Sequence, residues 1–199
     1  LTEQEESERR QKEFAERTQL FVEGLNVDEV VGQLLASEGF TSMEEVAYVD
    51  PDEIASIEGF DEETAEEIQA RAREHLEELE RKLDEERRAL GVEDDLKGVD
   101  GMTTAMMLAL GKDDIKSLED FAGCITDDLV GFVERKDGET IRHRGPLSDF
   151  DVSREEAERM IMDARVKAGW IAPEDLYPEE EEVYEDAEGY AGEGLAEAR

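Results

Sequence analysis

Residues 57–68 read Ile57-Glu58-Gly59-Phe60-Asp61-Glu62-Glu63-Thr64-Ala65-Glu66-Glu67-Ile68. A glycine, free to take positive φ, stands between apolar neighbours. Asp61 is a helix-capping residue with acids in the first turn behind it. Ala65 and Ile68 then fall on one helical face. A short helix, a glycine turn locked by apolar residues and a second helix make a helix-hairpin-helix unit. Gly39-Phe40 lies 20 residues before Gly59-Phe60, and each pair follows a short apolar helix and precedes an acidic helix start.

Working outward, helix signals recur and strand signals do not. Val27, Val30, Val31, Leu34 and Leu35 fall at helical spacing after Asn26, which is placed to cap them with Glu29 three residues on. Thr41 and Ser42 precede Glu44 and Glu45 in the same way. Asp50-Pro51-Asp52-Glu53 puts Asp at the cap and Pro at the first helical position, with Ile54 and Ile57 pointing inward. The longest helix is expected from about Asp61 to Leu90, with a stripe of Ala65, Ile68, Ala72, Leu76, Leu79, Leu83 and Leu90. Glu67–Arg71, Glu77–Arg81 and Glu78–Lys82 are acid-first pairs four apart, each worth a few tenths of a kcal/mol. The first part of this helix packs on its predecessors and the rest reads as a semi-rigid spacer. Upstream, residues 3–23 form a polar helix whose Phe14, Phe21 and Leu25 need a partner surface.

The second half follows the same plan. Phe40 to Ala47 aligns with Ile115 to Ala122, Asp52-Glu53-Ile54 with Asp127-Asp128-Leu129, and Ala65 to Arg73 with Ala157 to Arg165. Thr103, Ser117, Thr126 and Ser153 start helices, and Val99-Asp100-Gly101-Met102-Thr103 is a further hairpin turn. Residues 134–149 interrupt the alignment as a polar loop holding Arg135, Lys136, Arg142, His143 and Arg144. The expected fold is all-α: two tandem helix-hairpin-helix (SAM-like) domains joined by a long helix, with a disordered acidic tail. The divisions are an N-terminal linker helix (1–26), a first acidic repeat with two hairpins (27–73), a helical spacer (74–91), a second acidic repeat with the 134–149 insertion (92–171) and the tail (172–199).

Charge narrows the function. Of 199 residues, 58 are Asp or Glu and 22 Lys or Arg, a formal charge of -36. Residues 27–73 carry 14 acids against 2 bases, and residues 171–199 carry 11 against 1. Nucleic-acid binding rests on Lys and Arg displacing phosphate counterions, and docking on anionic membranes needs the same cations, so both are disfavoured. The tail, with Pro173, Pro178 and the acid run at 179–182, holds too little apolar surface to offset chain entropy. Cys124 is the single cysteine, which suits a reducing cytosol, and no apolar run reaches the ~18 residues of a membrane span. The chain begins at Leu1, not Met, and reads as a piece of a longer protein.

Ordinary hairpins of this kind offer turn N–H groups and nearby cations to a phosphate. Here Glu58, Asp61, Glu62, Glu63 and Glu66 stand in that place. A basic protein face is the better partner: opposite charge raises its on-rate and a small apolar patch supplies affinity. Asp100, Met102, Asp127, Asp128, Glu155 and Glu156 extend this candidate partner-binding set into the second half. No catalytic, metal or cofactor constellation is expected. His75 and His143 read as solvated, Cys124 as a buried thiol, the Met102, Met106 and Met107 cluster as core, and Trp170 as packed on the second repeat. The competing reading is a nucleic-acid module using Arg135, Lys136, Arg142 and Arg144; a third is an acidic nucleic-acid mimic or histone-like chaperone.

Several stretches together resemble the C-terminal part of the bacterial NusA family of transcription elongation factors. They are Leu1-Thr2-Glu3, Glu8-Arg9-Arg10-Gln11, Leu34-Leu35 to Gly39-Phe40-Thr41-Ser42, Ile57 to Ala65, Gly91 to Leu96 and Asp127-Asp128-Leu129-Val130-Gly131. The resemblance covers residues 1–171 and departs at the 134–149 insertion and the tail. It implies an upstream polymerase-binding domain and RNA-binding oligonucleotide-barrel and KH domains. It also implies that the two acidic repeats bind proteins. One meets basic antitermination factors. The other meets the C-terminal domain of the RNA polymerase α subunit, or folds back on the RNA-binding domains and inhibits them. The resemblance and the charge together imply a cytoplasmic, monomeric regulatory region in transcription termination and antitermination, without direct nucleic-acid contact.

Overall fold

The computed structural model describes residues 2–176. The fold is mostly helical, as the sequence predicts. In chain order it comprises α1 (Glu3–Leu25), α2 (Glu29–Ser37), α3 (Met43–Tyr48), α4 (Pro51–Ala55), α5 (Glu62–Ala89), a 3₁₀ turn (Asp94–Gly98), α6 (Thr104–Lys112), α7 (Leu118–Ala122), α8 (Thr126–Val130), β1 (Phe132–Lys136), β2 (Glu139–His143), α9 (Arg154–Lys167) and a 3₁₀ turn (Pro173–Leu176). The expected tail loses its first residues to this last turn; residues 177–199 lie outside the described residues. None of the described helices is long and apolar enough to cross a membrane.

Caps set the helix starts. Ser42 accepts from Glu45 N, Asp50 from Asp52 N and Asp61 from Thr64 N, with Pro51 at the first turn of α4. Ser117 with Asp120 and Ser153 with Glu156 form capping boxes. Two expected caps move. Asn26 closes α1 in the left-handed region at φ 51°, and Asp28 caps α2, its Oδ1 3.0 Å from Val31 N. An α2 start at Asn26 would need that residue extended, but ending α1 takes it left-handed. Thr126 is already helical, and Asp128 accepts from the Ile125 N–H before it.

The largest departure is the expected loop. Residues 132–143 form a two-stranded antiparallel hairpin, with Phe132 opposite His143, Val133 opposite Arg142, Glu134 opposite Ile141 and Arg135 opposite Thr140. Its two-residue turn is Asp137-Gly138, both at positive φ (53° and 84°). That turn twists with the strands it joins, and Asp-Gly is its strongest sequence signal. Flanked by Phe132-Val133 and Thr140-Ile141, it was there to be read.

There are two cores, one built on the first part of α5 and one beyond its end. The first is built from Phe21 and Leu25 of α1, Leu35, Val46, Ile54, Ile57 and, from α5, Ala65, Ile68 and Ala72. The second holds Val92, Leu96, Met107, Leu110, Phe121, Leu129, Leu147, Ala157 and Ile161. The stretch read as a spacer is joined to the second core at its far end. Arg87 is fully buried there, donating to Val92 O at 3.0 Å and paired with Asp84 and Asp94. Those carboxylates hold its charge against the cost of burial.

The internal repeat is visible in three dimensions. Offset by 75 residues, Leu35 and Leu110, Val46 and Phe121, Ala47 and Ala122, and Ile54 and Leu129 are all buried. The caps Asp28 and Thr103, and Ser42 and Ser117, obey the same offset. So do the left-handed pairs Asn26 and Gly101, and Gly39 and Asp114. Beyond the insertion the offset becomes 92, and Arg73 Nε donates to Ala47 O at 3.2 Å as Arg165 Nε donates to Ala122 O at 3.0 Å.

Candidate functional site

In the first repeat, α4 ends at Ala55, the chain turns through Gly59 at φ 92°, and α5 begins behind Asp61. Ile57 is buried and Phe60 N donates back to Ile57 O at 2.9 Å, which locks the turn on its helices. This places Glu58, Asp61, Glu62, Glu63 and Glu66 together around one hairpin, all exposed. Among the described residues none of the five is in an ion pair; only Glu67, one position on, is matched, to Arg71 at 2.5 Å. The Thr64 hydroxyl and backbone N–H hold the Asp61 carboxyl below its ordinary range, so it stays ionised in mild acid.

The second-half residues do not gather in one place. Asp100, Glu155 and Glu156 line a groove of about 770 Å³ together with Met106, Met160 and Met162. Asp163 completes one wall, accepting from the Asp100 backbone N at 2.8 Å and from Lys167 at 2.6 Å. Met162 and Asp163 were not anticipated; they lie on the polar side of the α9 pattern and are gathered only by packing. Glu156 is engaged at its own helix start, where the Ser153 N–H at 2.8 Å and the Ser153 hydroxyl lower its pKa. Met102 packs against the second core. Asp127 is paired with Arg154, and Asp128 is occupied with the Ile125 N–H at 3.0 Å. Two of the expected carboxylates are thus already engaged in holding α8.

Other sequence readings fall as follows. Cys124 is buried, and burial, with Asp128 and Asp120 nearby, pushes its thiol up to about 11. Met107 is core, while Met106 is shared between core and groove. Trp170 is 51% exposed, against the expectation of packing; its ring lies close to Gly123. His143 stacks on Phe132 with ring centroids 4.4 Å apart, its Nε2 3.3 Å from Glu134. Among the described residues no group of three or more His, Cys, Asp or Glu is placed to hold a metal ion.

The fold and its charge define a class: a tandem helix-hairpin-helix region with an acidic surface. Residues 26–74, the first repeat, match the SAM-like helix-hairpin-helix tandem family. Over 162 residues the chain is 35% identical to the transcription termination/antitermination protein NusA of Rickettsia prowazekii (strain Madrid E), covering 75% of this chain and 31% of that protein. Over 120 residues it is 39% identical to the protein of the same name from Rickettsia conorii (strain ATCC VR-613 / Malish 7), covering 60% of this chain and 24% of that one. The chain spans about a third or less of the length of the curated relatives it matches. Together these matches make the chain similar, over most of its length, to a part of these NusA proteins, with its first repeat matching the helix-hairpin-helix family.

Proposed function

We propose that this region is a regulatory protein-binding element, with its acidic hairpin faces as docking surfaces for basic partners. The observation that carries the reading is the cluster Glu58, Asp61, Glu62, Glu63 and Glu66, five exposed carboxylates at one turn without a matched cation among the described residues. A phosphate meets only like charge there. A basic protein face gains attraction at every contact and is steered to the surface before it docks. The partners proposed are the C-terminal domain of the RNA polymerase α subunit and basic antitermination factors. The groove beside α9 suits an apolar side chain flanked by cations, since its methionines adapt to varied shapes. The division of labour proposed is that the first repeat offers charge alone and the second offers charge with an apolar socket.

The same surface has a second target, the RNA-binding domains proposed to lie upstream in the full-length protein. Tethering gives a local concentration of order millimolar, so weak contacts suffice to compete with RNA. NMR titration of this chain with the polymerase α C-terminal domain tests the docking. Amides at residues 58–66, or those bordering the groove, are expected to shift; if neither set moves, this partner is wrong. Deleting residues 92–170 from the full-length protein tests the competition. RNA affinity is expected to rise, and an unchanged affinity sinks the autoinhibitory role.

A further inference from the structure

The two repeats carry an aromatic ring at equivalent places, and they bring it there from different parts of the chain. Tyr48 is the last residue of α3, and its counterpart at the 75-residue offset, Gly123, directly follows α7. The surroundings match: Ala47 and Ala122 are buried, and their carbonyls accept from Arg73 and Arg165. Gly123 has no side chain, yet the place is not bare. Cη2 of Trp170 stands 3.8 Å from the point that a Cβ on Gly123 would occupy. This ring comes from beyond the end of α9, where Gly169 turns the chain at φ 75° and the Trp170 N–H donates to Arg165 O at 2.8 Å. Arg165 thus holds the end of α7 with its guanidinium and the Trp170 backbone with its carbonyl.

Neither ring is sunk in a core: Tyr48 is 72% exposed and Trp170 51%. A lone exposed apolar residue calls for no account. Two rings supplied by different means to one position of a duplicated fold do. The chemistry beside them is also shared. Glu44 lies four residues before Tyr48 on α3, and Glu119 four before Gly123 on α7, which puts each carboxylate on the ring's face of its helix. Both are exposed, and among the described residues neither is in an ion pair. Their neighbours Glu45 and Asp120 are instead held by their own helix starts, through Thr41 and through the N–H groups of Lys116 and Ser117. The second place is the more apolar, since Ile125 is 57% exposed where the first repeat has Asp50.

An aromatic face attracts a cation, and an unmatched carboxylate beside it attracts the same charge. A phosphate gains nothing from either group. We propose that Tyr48 with Glu44, and Trp170 with Glu119, are equivalent seats for an arginine or lysine side chain of a basic protein partner, its charged head lying over the ring. The basic character of the partner rests on the proposed function. The contact surface is a different one, at the ends of α3 and α7 rather than at the acidic hairpin or the groove beside α9. The second seat, with the larger ring and Ile125, is the tighter of the two.

The test uses the whole chain at physiological ionic strength, where attraction between distant exposed charges is screened. The probe is a capped peptide of alanine and arginine, and its control is the same peptide with citrulline for arginine, alike in shape but neutral. The arginine peptide is expected to shift the Tyr48 ring signals, the Trp170 indole N–H and the amides of Glu44 and Glu119, and the citrulline peptide none of them. Tyr48→Leu and Trp170→Leu keep the net charge, so binding through charge alone is untouched by them. Each is expected to weaken its own seat about two- to fivefold, the size of one exposed cation–π contact, and to leave the other seat unchanged. Both rings are exposed, so folding is not at issue, and far-UV circular dichroism checks it. Unmoved ring signals, or unchanged affinity in either variant, overturn the proposal. So does an equal response to both peptides, since the occupant is then an apolar group. Ring signals that move with protein concentration before peptide is added also overturn it, since the occupant is then a second copy. Movement of the amides of residues 58–66 without the rings overturns it and leaves the proposed function standing. Movement of the rings without residues 58–66 supports it and counts against docking at that hairpin.

Discussion

The two repeats are built on one plan, but they handle their acids differently. In the first, the turn before α5 is the six residues Ser56 to Asp61, and its carboxylates, Glu58 and Asp61, face solvent unmatched by an ion pair among the described residues. In the second, the same place is filled by the hairpin and the return loop, and Arg154 reaches across to neutralise Asp127 and hold Gly131. The repeats also rest on different supports. Phe21 and Leu25 of a 23-residue helix cover the first core, whereas Leu96 of a short 3₁₀ turn and the end of α5 cover the second. The first repeat is an acidic face on a simple scaffold, and the second is a scaffold modified by an insertion whose charge had to be accommodated. A shared framework therefore does not imply a shared partner.

Paired substitutions sharpen this comparison. The largest effect is expected in the cores. Phe121→Ala should destabilise the second repeat by about 4 kcal/mol, and the equivalent Val46→Ala the first by about half that. Chemical denaturation followed by Trp170 fluorescence, with far-UV circular dichroism for the whole chain, measures both. Equal effects would mean the two cores unfold as one unit. Next is Arg87→Ala, expected to cost about 3 kcal/mol, because a buried cation loses Asp84, Asp94 and Val92 O together. The loss should fall on the second repeat first, seen as hydrogen exchange accelerating in α6 before α3. An equal response in α3 would show that α5 couples the two cores rigidly.

The helix caps give a smaller effect, which should be matched between repeats. Ser42→Ala and Ser117→Ala are each expected to lose about 1 kcal/mol. A several-fold difference between them would break the equivalence. Acid titration gives the same contrast without substitution. Asp61 in the first repeat and Glu156 in the second have lowered folded pKa values. Their stabilisation is full above the ordinary carboxylate range and is lost as pH falls through the lowered values. Carboxyl NMR shifts should show both titrating below the ordinary values for their side chains. The last contrast, with the smallest single value at Asp114, is at the left-handed turn, where Gly39 has φ 98° and its counterpart Asp114 has φ 61°. Gly39→Ala should cost about 1 kcal/mol, while Asp114→Gly should change stability by about 0.5 kcal/mol or less.

Much of this architecture was legible in the chain. Capping residues act on N–H groups two or three positions away, so Ser42, Asp50, Asp61, Ser117 and Ser153 announce their helices. The repeat was legible because the same apolar spacing recurs at a constant offset. The hairpin was missed although Asp137-Gly138 signals it, since its strands are too polar to show a buried face. Within the candidate site, the acids of the first hairpin are contiguous and were read as a group. Those of the second half are scattered along the chain, and only Asp100, Glu155 and Glu156 come together, at the groove beside α9.

Composition and local spacing by themselves determined the helical class, the duplication and the acidic character, because each is set by neighbours in sequence and by charges that no fold can remove. Only the tertiary structure decided which carboxylates are free. Asp127 meets Arg154 across 27 residues, Asp100 meets Asp163 across 63, and Arg87 is buried where its sequence reads as an exposed helix. Such pairings depend on how two surfaces pack, and packing brings together residues whose separation along the chain carries no signal.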